Sequence, residues 1–176
     1  MVKNIELNPS IGNIDAYQLA IGNENCFISM IRSSDINSGA ATCVNLKIDD
    51  IREGKTNAED IKVEMVSLDS FIRRLALPEL NFIKIDVEGF ESLVVAGAIE
   101  TIKLYRPRIV FELDDSNLKR AGSSAVELCC LVRELGYHLI NAESGVPIDF
   151  DDISKHIDVL AKRWTGFVRQ RAGKDN

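Results

Sequence analysis

Residues 81–91 read NFIKIDVEGFE, and residues 92–98 continue as SLVVAGA. The apolar run Phe82–Ile85 is typical of a short buried strand, and it ends abruptly at the carboxylates of Asp86 and Glu88. In an open parallel sheet, the turn after such a strand faces the ligand crevice at the carboxyl ends of the strands. This stretch therefore predicts a strand, a polar turn and a helix, in that order.

The carboxylates of this turn have two interpretations. Asp86 and Glu88 stand where side chains of α/β sheets bind ligands, which suggests a functional site. Alternatively, Asp86 is an N-cap, and Glu88 and Glu91 are first-turn residues stabilised by the positive end of the helix dipole. The pattern alone supports the two interpretations about equally, because acid-rich turns are common.

Further motifs surround this stretch. Val66–Asp69 reads VSLD ahead of it, while the pair Gly97-Ala98 and the segment RPRIVFE at 106–112 follow it. Together with KIDVEGFE at 84–91, these motifs resemble the signature of the FkbM-type family of S-adenosylmethionine-dependent methyltransferases. The match runs from about Ile61 through Leu113, with weaker agreement on either side.

The resemblance implies an α/β fold with the Rossmann-like sheet of class I methyltransferases, whose strand order is 3-2-1-4-5-7-6. Strands three to seven correspond to Ile14–Ala20, Phe82–Ile85, Arg108–Phe111, Tyr137–Asn141 and Gly166–Gln170. Strands one and two have no counterpart, so we expect a sheet truncated at its N-terminus. The chain is then a single partial methyltransferase domain over residues 1–176, with strand three and a hairpin or loop region in 1–60, the signature core in 61–113, and C-terminal strands and helices in 114–176.

Local patterns predict the other elements. These are the tail of a helix at Val2–Leu7, strands at Cys26–Arg32, Ala41–Ile48 and Ile61–Val66, a helix capped near Ser67 and running through Leu75, helices over Glu88–Tyr105 and Ala125–Leu135, and one short helix within Ile148–Lys162. Gly97, inside one of these helices, costs about 1 kcal/mol relative to alanine. It therefore predicts a close approach of that helix to the sheet.

The cofactor elements of the family are missing from this sequence. Family members carry a glycine-rich turn that holds the methionine part of the cofactor and an acidic strand end that binds its ribose. No Gly-x-Gly follows an apolar strand here. The chain therefore resembles a fragment, and the absent strands would leave unpaired edges in the sheet. We expect either a homo-oligomer or a missing N-terminal segment to complete the sheet.

The activity implied by the resemblance is methyl transfer from S-adenosylmethionine to a hydroxyl group of a sugar or natural product. Asp86 and Glu88 would be catalytic, with Asp86 as the base or the group that orients the acceptor. Glu91 and Glu112 would bind the small-molecule or carbohydrate acceptor. The cofactor's adenine would contact Gln18, Leu19 and Ala20.

Two alternatives remain open. The missing glycine-rich turn is compatible with a catalytically inactive remnant that acts as an interaction module. A second alternative is a variant that binds Mg²⁺ or Ca²⁺ through clustered carboxylate oxygens. The carboxylates concerned are those of Asp86, Glu88, Glu112, Asp114 and Asp115.

Composition limits the other function classes. The 176 residues carry a net charge of −6 and no basic stripe, which argues against nucleic-acid binding. No apolar run approaches the roughly 20 residues of a membrane span. Four cysteines without metal-ligand spacing indicate reduced thiols and a cytoplasmic location. His138 and His156 accompany no hydrolase-like nucleophile, so no catalytic role is assigned to them.

Overall fold

The computed structural model describes residues 2–8, 12–33, 41–42, 58–150 and 156–163. Its helices are α1 (Val2–Glu6), α2 (Leu68–Leu75), α3 (Glu91–Ala96), α4 (Ile99–Tyr105), α5 (Asp115–Arg120) and α6 (Ala125–Glu134). Its strands are β1 (Ala20–Gly22), β2 (Cys26–Ser33), β3 (Ala41–Thr42), β4 (Ala58–Ser67), β5 (Phe82–Ile85), β6 (Arg108–Leu113), β7 (Tyr137–Asn141) and β8 (Ile157–Arg163). None of the helices within these ranges has the length and apolar content that crossing a membrane requires.

The strands form two four-stranded sheets, which confirms the predicted α/β class. The first sheet has the order β1-β4-β2-β3, with β1 parallel to β4 and the other pairs antiparallel. The second has the order β5-β6-β8-β7, with β5 parallel to β6 and the other pairs antiparallel. The division into two sheets differs from the single sheet that the resemblance implies. In the second sheet, β8 lies between β6 and β7, whereas the predicted strand seven, Gly166–Gln170, is outside the described residues.

The core lies between the second sheet and the helices packed on it. Side chains of the central strand β6 are fully buried at Ile109, Phe111 and Leu113. Leu128 and Val132 of α6 are also fully buried and belong to the same cluster. The alternation of buried residues along β6 leaves Glu112 on the other side of the strand, as the period of two in a strand requires.

Many predicted elements are confirmed with small changes of boundary. β5, β7 and the Ser67-capped helix α2 begin and end where the sequence places them, and Ser124 caps α6. The end of the strand predicted at Ala41–Ile48 and the strand predicted at Gly166–Gln170 lie outside the described residues.

The strand predicted at Ile14–Ala20 is wrong, because the strand is Ala20–Gly22. Residues 12–18 are exposed, so their alternation does not reflect a half-buried strand. Tyr17 instead packs edge-to-face against Phe71 of α2, with ring centroids 4.9 Å apart. Parallel pairing with β4 begins only at Ala20.

The helix predicted over Glu88–Tyr105 is also wrong in its extent. Glu88 has a φ of +54° and Gly89 a φ of +104°, so the helix begins only at Glu91. It ends at Ala96, and a second helix starts at Ile99. The carboxylate of Asp69 makes this second start possible, because it accepts hydrogen bonds from the backbone N–H groups of α4's first turn at 3.1 and 2.7 Å.

The short helix predicted within Ile148–Lys162 is wrong for the residues described there. The chain forms strand β8 from Ile157, and β8 lies between β6 and β7. Val159 and Ala161 are buried at alternate positions, a period of two that the acidic composition of the region obscures.

Gly97, the C-cap residue of α3, lies against the end of β1 in the first sheet. A Cβ atom at this position would stand 1.9 Å from the backbone oxygen of Gly22 at the end of β1. The carbonyl of Gly97 also accepts a hydrogen bond of 2.9 Å from the N–H of Asp69. The predicted close approach of the helix to the sheet is therefore confirmed, and it brings the first sheet against the helix that follows the acidic turn.

Candidate acidic site at the ends of β5 and β6

The turn after β5 has an unusual backbone. Glu88 and Gly89 both have positive φ, at +54° and +104°. Only glycine adopts this region without a steric penalty. Gly89 must also be glycine because its surroundings leave no room for a Cβ atom. A Cβ atom there would stand 2.5 Å from the backbone oxygen of Asn117. The turn therefore packs directly against helix α5.

Glu91 is the first residue of α3, and its side chain is enclosed by this turn, so that the residue is only 1% exposed. Its Oε1 accepts hydrogen bonds of 3.2 Å from the backbone N–H groups of Val87 and Gly89. A buried carboxylate is tolerated when hydrogen bonds compensate its desolvation. The position of Glu91 thus assigns its carboxylate to the turn itself, and its predicted contact with an acceptor gains no support from this geometry.

Asp86 is exposed at the end of β5 and is not a helix cap. Its Oδ2 lies 2.7 Å from Nζ of Lys84, and the two side chains are 47% and 59% exposed, respectively. Helix α3 has Phe90 at its N-cap position, with no side-chain cap. The capping interpretation of Asp86 is therefore wrong. The hydrogen bond with Asp86 also raises the pKa of Lys84 above its ordinary value.

Glu88 is exposed beside Asp86. Its Oε2 accepts a hydrogen bond of 3.4 Å from Nδ2 of Asn117 on α5. The side-chain oxygen of Asn117 is in turn bonded by Arg120. A contact as long as 3.4 Å is weak, so the carboxylate of Glu88 is directed toward solvent with little restraint.

Glu112 is brought next to this turn by the register of the sheet. Ile85 pairs with Phe111, so Asp86 and Glu112 follow side by side on adjacent parallel strands. Burial raises the pKa of Glu112 above its ordinary value, and the negative charges of Glu88, Asp86 and Glu91 raise it further, whereas His156 lowers it. The structure therefore gathers four of the predicted site carboxylates, those of Asp86, Glu88, Glu91 and Glu112, at one edge of the second sheet.

His156 is the functional candidate that the sequence did not reveal. Its Nε2 lies 3.0 Å from Oε1 of Glu112, and its Nδ1 lies 3.5 Å from Oδ2 of Asp114. The contact arises because β8 pairs antiparallel with β6, with Ile157 opposite Leu113. No local motif around His156 could have indicated it, since the pairing joins segments far apart in the chain.

Asp114 and Asp115 serve the local structure. Asp114 caps α5 by accepting hydrogen bonds from the backbone N–H groups of Ser116 and Asn117. It also accepts one from the Ser116 hydroxyl, and this bond, followed by the backbone bonds, lowers the pKa of Asp114 to about 2. Asp115 pairs with Lys119 at 2.6 Å. Within the described parts of the chain, no three His, Cys, Asp or Glu side chains are grouped as a metal ion would need. The metal-binding alternative therefore gains no support.

A cleft of about 430 Å³ opens beside this edge. It is lined by Asn141, Ala142, Glu143, His156, Ile157 and Asp158. His156 thus contacts Glu112 and also forms part of the cleft wall. The lining is mainly polar, which suits a hydroxylated ligand better than an apolar one.

The three predicted cofactor-binding residues are not brought to the acidic site. Gln18 and Leu19 precede β1 instead of ending it, and they line a separate cleft of about 340 Å³ with Tyr17 and Phe71 among others. Ala20 is the first residue of β1 and pairs with Met65. The strand end on which their assignment rested is Gly22, so contact of these residues with adenine stays a prediction.

Comparisons with known proteins agree with this architecture. A family model described as the methyltransferase FkbM domain matches residues 1–139. A crystal structure of methyltransferase FkbM from Methylobacillus flagellatus KT is similar with a TM-score of 0.50 and 13% sequence identity, over 91% of this chain. The chain spans only 32% of that structure's length, and at this identity the likeness concerns the fold alone. No curated protein gives a significant match.

The family model covers far more than half of the chain and includes β5, the acidic turn and β6. Its last matched residue lies within β7, so only the region that contains β8 and His156 falls outside it. The chain therefore belongs to the FkbM methyltransferase family.

Proposed function

We propose that this chain takes part in S-adenosylmethionine-dependent methylation of a hydroxyl group on a sugar or natural product, with the acidic edge of β5 and β6 as the reacting site. One observation carries the proposal. Glu88, a residue with a bulky charged side chain, is held at a φ of +54° and directs an exposed carboxylate beside Asp86. Among the described residues, Ala76 and Arg106 share this conformation as helix C-caps, whereas Glu88 ends no helix.

The cost of this conformation supports a functional role. A left-handed conformation costs an L-residue roughly 1–2 kcal/mol, and glycine or asparagine would avoid most of that cost. The exposed side chain of Glu88 recovers little of this free energy, because its one described hydrogen bond is 3.4 Å long and weak. Backbone strain of this kind is concentrated at active sites and ligand clamps.

The exposed carboxylates suit the cofactor chemically. S-adenosylmethionine is cationic and carries ribose hydroxyls, and when bound it supplies an electrophilic methyl group whose sulfur keeps the bonding electron pair. Asp86 and Glu88 offer anionic acceptor oxygens at a strand end, which suit a positive charge and hydroxyl donors. Glu91 holds their turn in shape through its two backbone hydrogen bonds.

Asp86 then orients the acceptor. Lys84 lies 2.7 Å from one of its oxygens, so that oxygen is occupied and the carboxylate has a defined direction. Holding a hydroxyl in line with a methyl group supplies much of the acceleration of such a reaction. The polar cleft beside Glu112 is where we propose that the rest of the acceptor lies.

β5 is an edge strand of the described second sheet, and this edge is where the missing cofactor contacts could be supplied. Within the described ranges β5 pairs only with β6, and the side chain of Phe82 is exposed. By the family resemblance, the neighbouring strand leads into the glycine-rich turn. We propose that a strand from a second copy or from a further segment of the protein pairs with this edge and supplies that turn.

Replacement of Glu88 by glycine tests the proposal. We expect Glu88→Gly to be at least as stable as the wild type, with a gain of up to about 1 kcal/mol, because the strain is removed. Methyl transfer should fall by about a hundredfold, as expected for the loss of a positioned catalytic group. The assay follows radiolabelled methyl from S-adenosylmethionine into methyl glycosides of glucose, galactose, mannose and rhamnose.

Ala76→Gly is the matched control. Ala76 has a φ of +49° at the C-cap of α2, so glycine relieves the same kind of strain away from the acidic site. This variant should gain stability and keep full activity. If Glu88→Gly also kept full activity, the carboxylate of Glu88 would have no part in the reaction and the proposal would lose its main support.

A further inference from the structure

The contact between Glu112 and His156 links the acidic site to solvent. Nε2 of His156 lies 3.0 Å from Oε1 of Glu112, and the two side chains are 62% and 18% exposed, respectively. The carboxylate therefore sits largely enclosed beside Asp86 and Glu88, while the imidazole reaches water. This is the geometry of a path along which a proton can leave an active site.

We propose that Glu112 takes the proton of the acceptor hydroxyl and that His156 passes it to solvent, an inference that rests on the proposed function. The acceptor oxygen gains a methyl group and loses its proton. That proton moves to the carboxylate of Glu112, then to Nε2 of His156, and finally to water. Both side chains return to their starting state, and the step needs no further reactant.

Glu112 is better suited to take the proton than Asp86. Lys84 is ion-paired with Asp86 at 2.7 Å, whereas no described cation other than His156 pairs with Glu112. Burial and the nearby carboxylates raise the pKa of Glu112. A carboxylate with a raised pKa binds a proton more readily and is the stronger base. Asp86 therefore orients the hydroxyl, and Glu112 receives its proton.

Asp114 lies on the other side of the imidazole. Its Oδ2 is 3.5 Å from Nδ1 of His156, where it can accept a weak hydrogen bond from Nδ1–H once Glu112 is protonated and its O–H faces the lone pair of Nε2. The tautomer with its proton on Nδ1 is the one that can receive a proton from the carboxyl group. The other charged groups that act on Glu112 are Asp86 and Glu88 on the turn, Glu91 at the start of α3 and Lys84 on β5, and Asp158 on β8 acts in turn on Lys84.

Glu112→Gln is expected to fold. Because the pKa of Glu112 is raised in the folded state, the stability it contributes is present below its ordinary value of 4.5 and is lost as the pH rises through the raised value. At neutral pH the ionised carboxylate does not favour folding, so a neutral amide of the same shape is tolerated. Loss of activity in this variant would then report chemistry and not unfolding.

The kinetic test compares pH profiles in the methyl glycoside assay. In the wild type, kcat/KM should rise with pH as Glu112 ionises. In Glu112→Gln this rise with pH should disappear, and kcat should fall by about a hundredfold or more. His156→Gln should lose about tenfold in kcat with KM unchanged, and added imidazole should restore activity to His156→Ala. His138→Gln, which replaces the other histidine of the chain, should behave as the wild type.

A second readout does not depend on activity. Carbon-13 NMR of the glutamate carboxyl groups should show Glu112 titrating above its ordinary value of 4.5, and further upward in His156→Gln, because His156 lowers the pKa of Glu112. His138→Gln should leave this titration unchanged. A Glu112 titration that does not respond to the loss of His156 would overturn the relay.

The outcomes separate this inference from the proposed function. A wild type that labels no glycoside and binds no S-adenosylhomocysteine contradicts the proposed function, and the relay falls with it. A wild type that labels a glycoside while His156→Gln keeps both rate and pH profile contradicts the relay alone. Rescue of His156→Ala by imidazole, together with the shifted titration of Glu112, would support it.

Discussion

Gly97→Ala is expected to lower the free energy of unfolding by about 3 kcal/mol or more, at the upper end of what overpacking costs. The added methyl group would meet the backbone oxygen of Gly22 at 1.9 Å and the Cα atom of Asn23 at 2.9 Å. Neither atom can move by a change of rotamer. The only relief is to separate α3 from β1, which would also strain the 2.9 Å hydrogen bond between Asp69 and Gly97.

Urea denaturation followed by circular dichroism measures this loss, with an unchanged m-value as the sign that the transition stays two-state. Gly12→Ala is the control, because a Cβ atom at Gly12 meets nothing within 4 Å and should change stability by less than about 0.5 kcal/mol. Gly22→Ala is informative too, since the three atoms nearest to its added carbon all belong to the flexible side chain of Met65, and it should cost less. Equal stabilities of Gly97→Ala and Gly12→Ala would mean that the end of α3 does not approach the end of β1 this closely.

Glu91→Ala is expected to be the second large loss, about 3–4 kcal/mol, because each buried donor left without a partner costs about 1–3 kcal/mol. The N–H groups of Val87 and Gly89 would both lose Oε1 of Glu91, and the turn that carries Glu88 would lose its internal support. Thermal and urea unfolding measure the loss of stability, and the methyl glycoside assay measures the accompanying loss of activity.

Glu91→Gln separates the two possible roles of this residue. Both hydrogen bonds end on one oxygen, and the amide oxygen of glutamine can accept both. We therefore expect this variant to lose about 1 kcal/mol or less and to keep most of its activity. If Glu91→Gln were stable and inactive, the carboxylate charge of Glu91 would be needed for the acceptor, as the family resemblance implies.

The sequence predicts β5, β6 and β7 of the second sheet well because the signals for these strands are local. The apolar runs of β5 and β6 are bounded by polar turns, and Ser124, which caps α6, is adjacent to the helix that it delimits. Gly97 was correctly predicted to allow a close approach, although it also ends a helix. These features depend on neighbours in the chain, which the sequence displays directly.

The features of the site that were missed depend on distant residues. The burial of Glu91 follows from a turn that folds back over it, and a glutamate is rarely buried without such partners. The contact of His156 with Glu112 requires β8 to insert between β6 and β7, in a region whose acidic composition favoured a helix. The short strand at Ala20–Gly22 is set by its pairing with β4 and not by its own alternation.

Binding of S-adenosylhomocysteine by isothermal titration calorimetry is the most direct test of the account, with Asp86→Ala as the control. The account predicts binding tighter than about 1 mM, or about −4 kcal/mol, and weaker binding by Asp86→Ala. Because the glycine-rich turn is proposed to come from a second copy or a further segment, the titration is run over a range of protein concentrations. A folded chain that binds no S-adenosylhomocysteine at any concentration would contradict the assignment of a methyl-transfer site to its acidic edge.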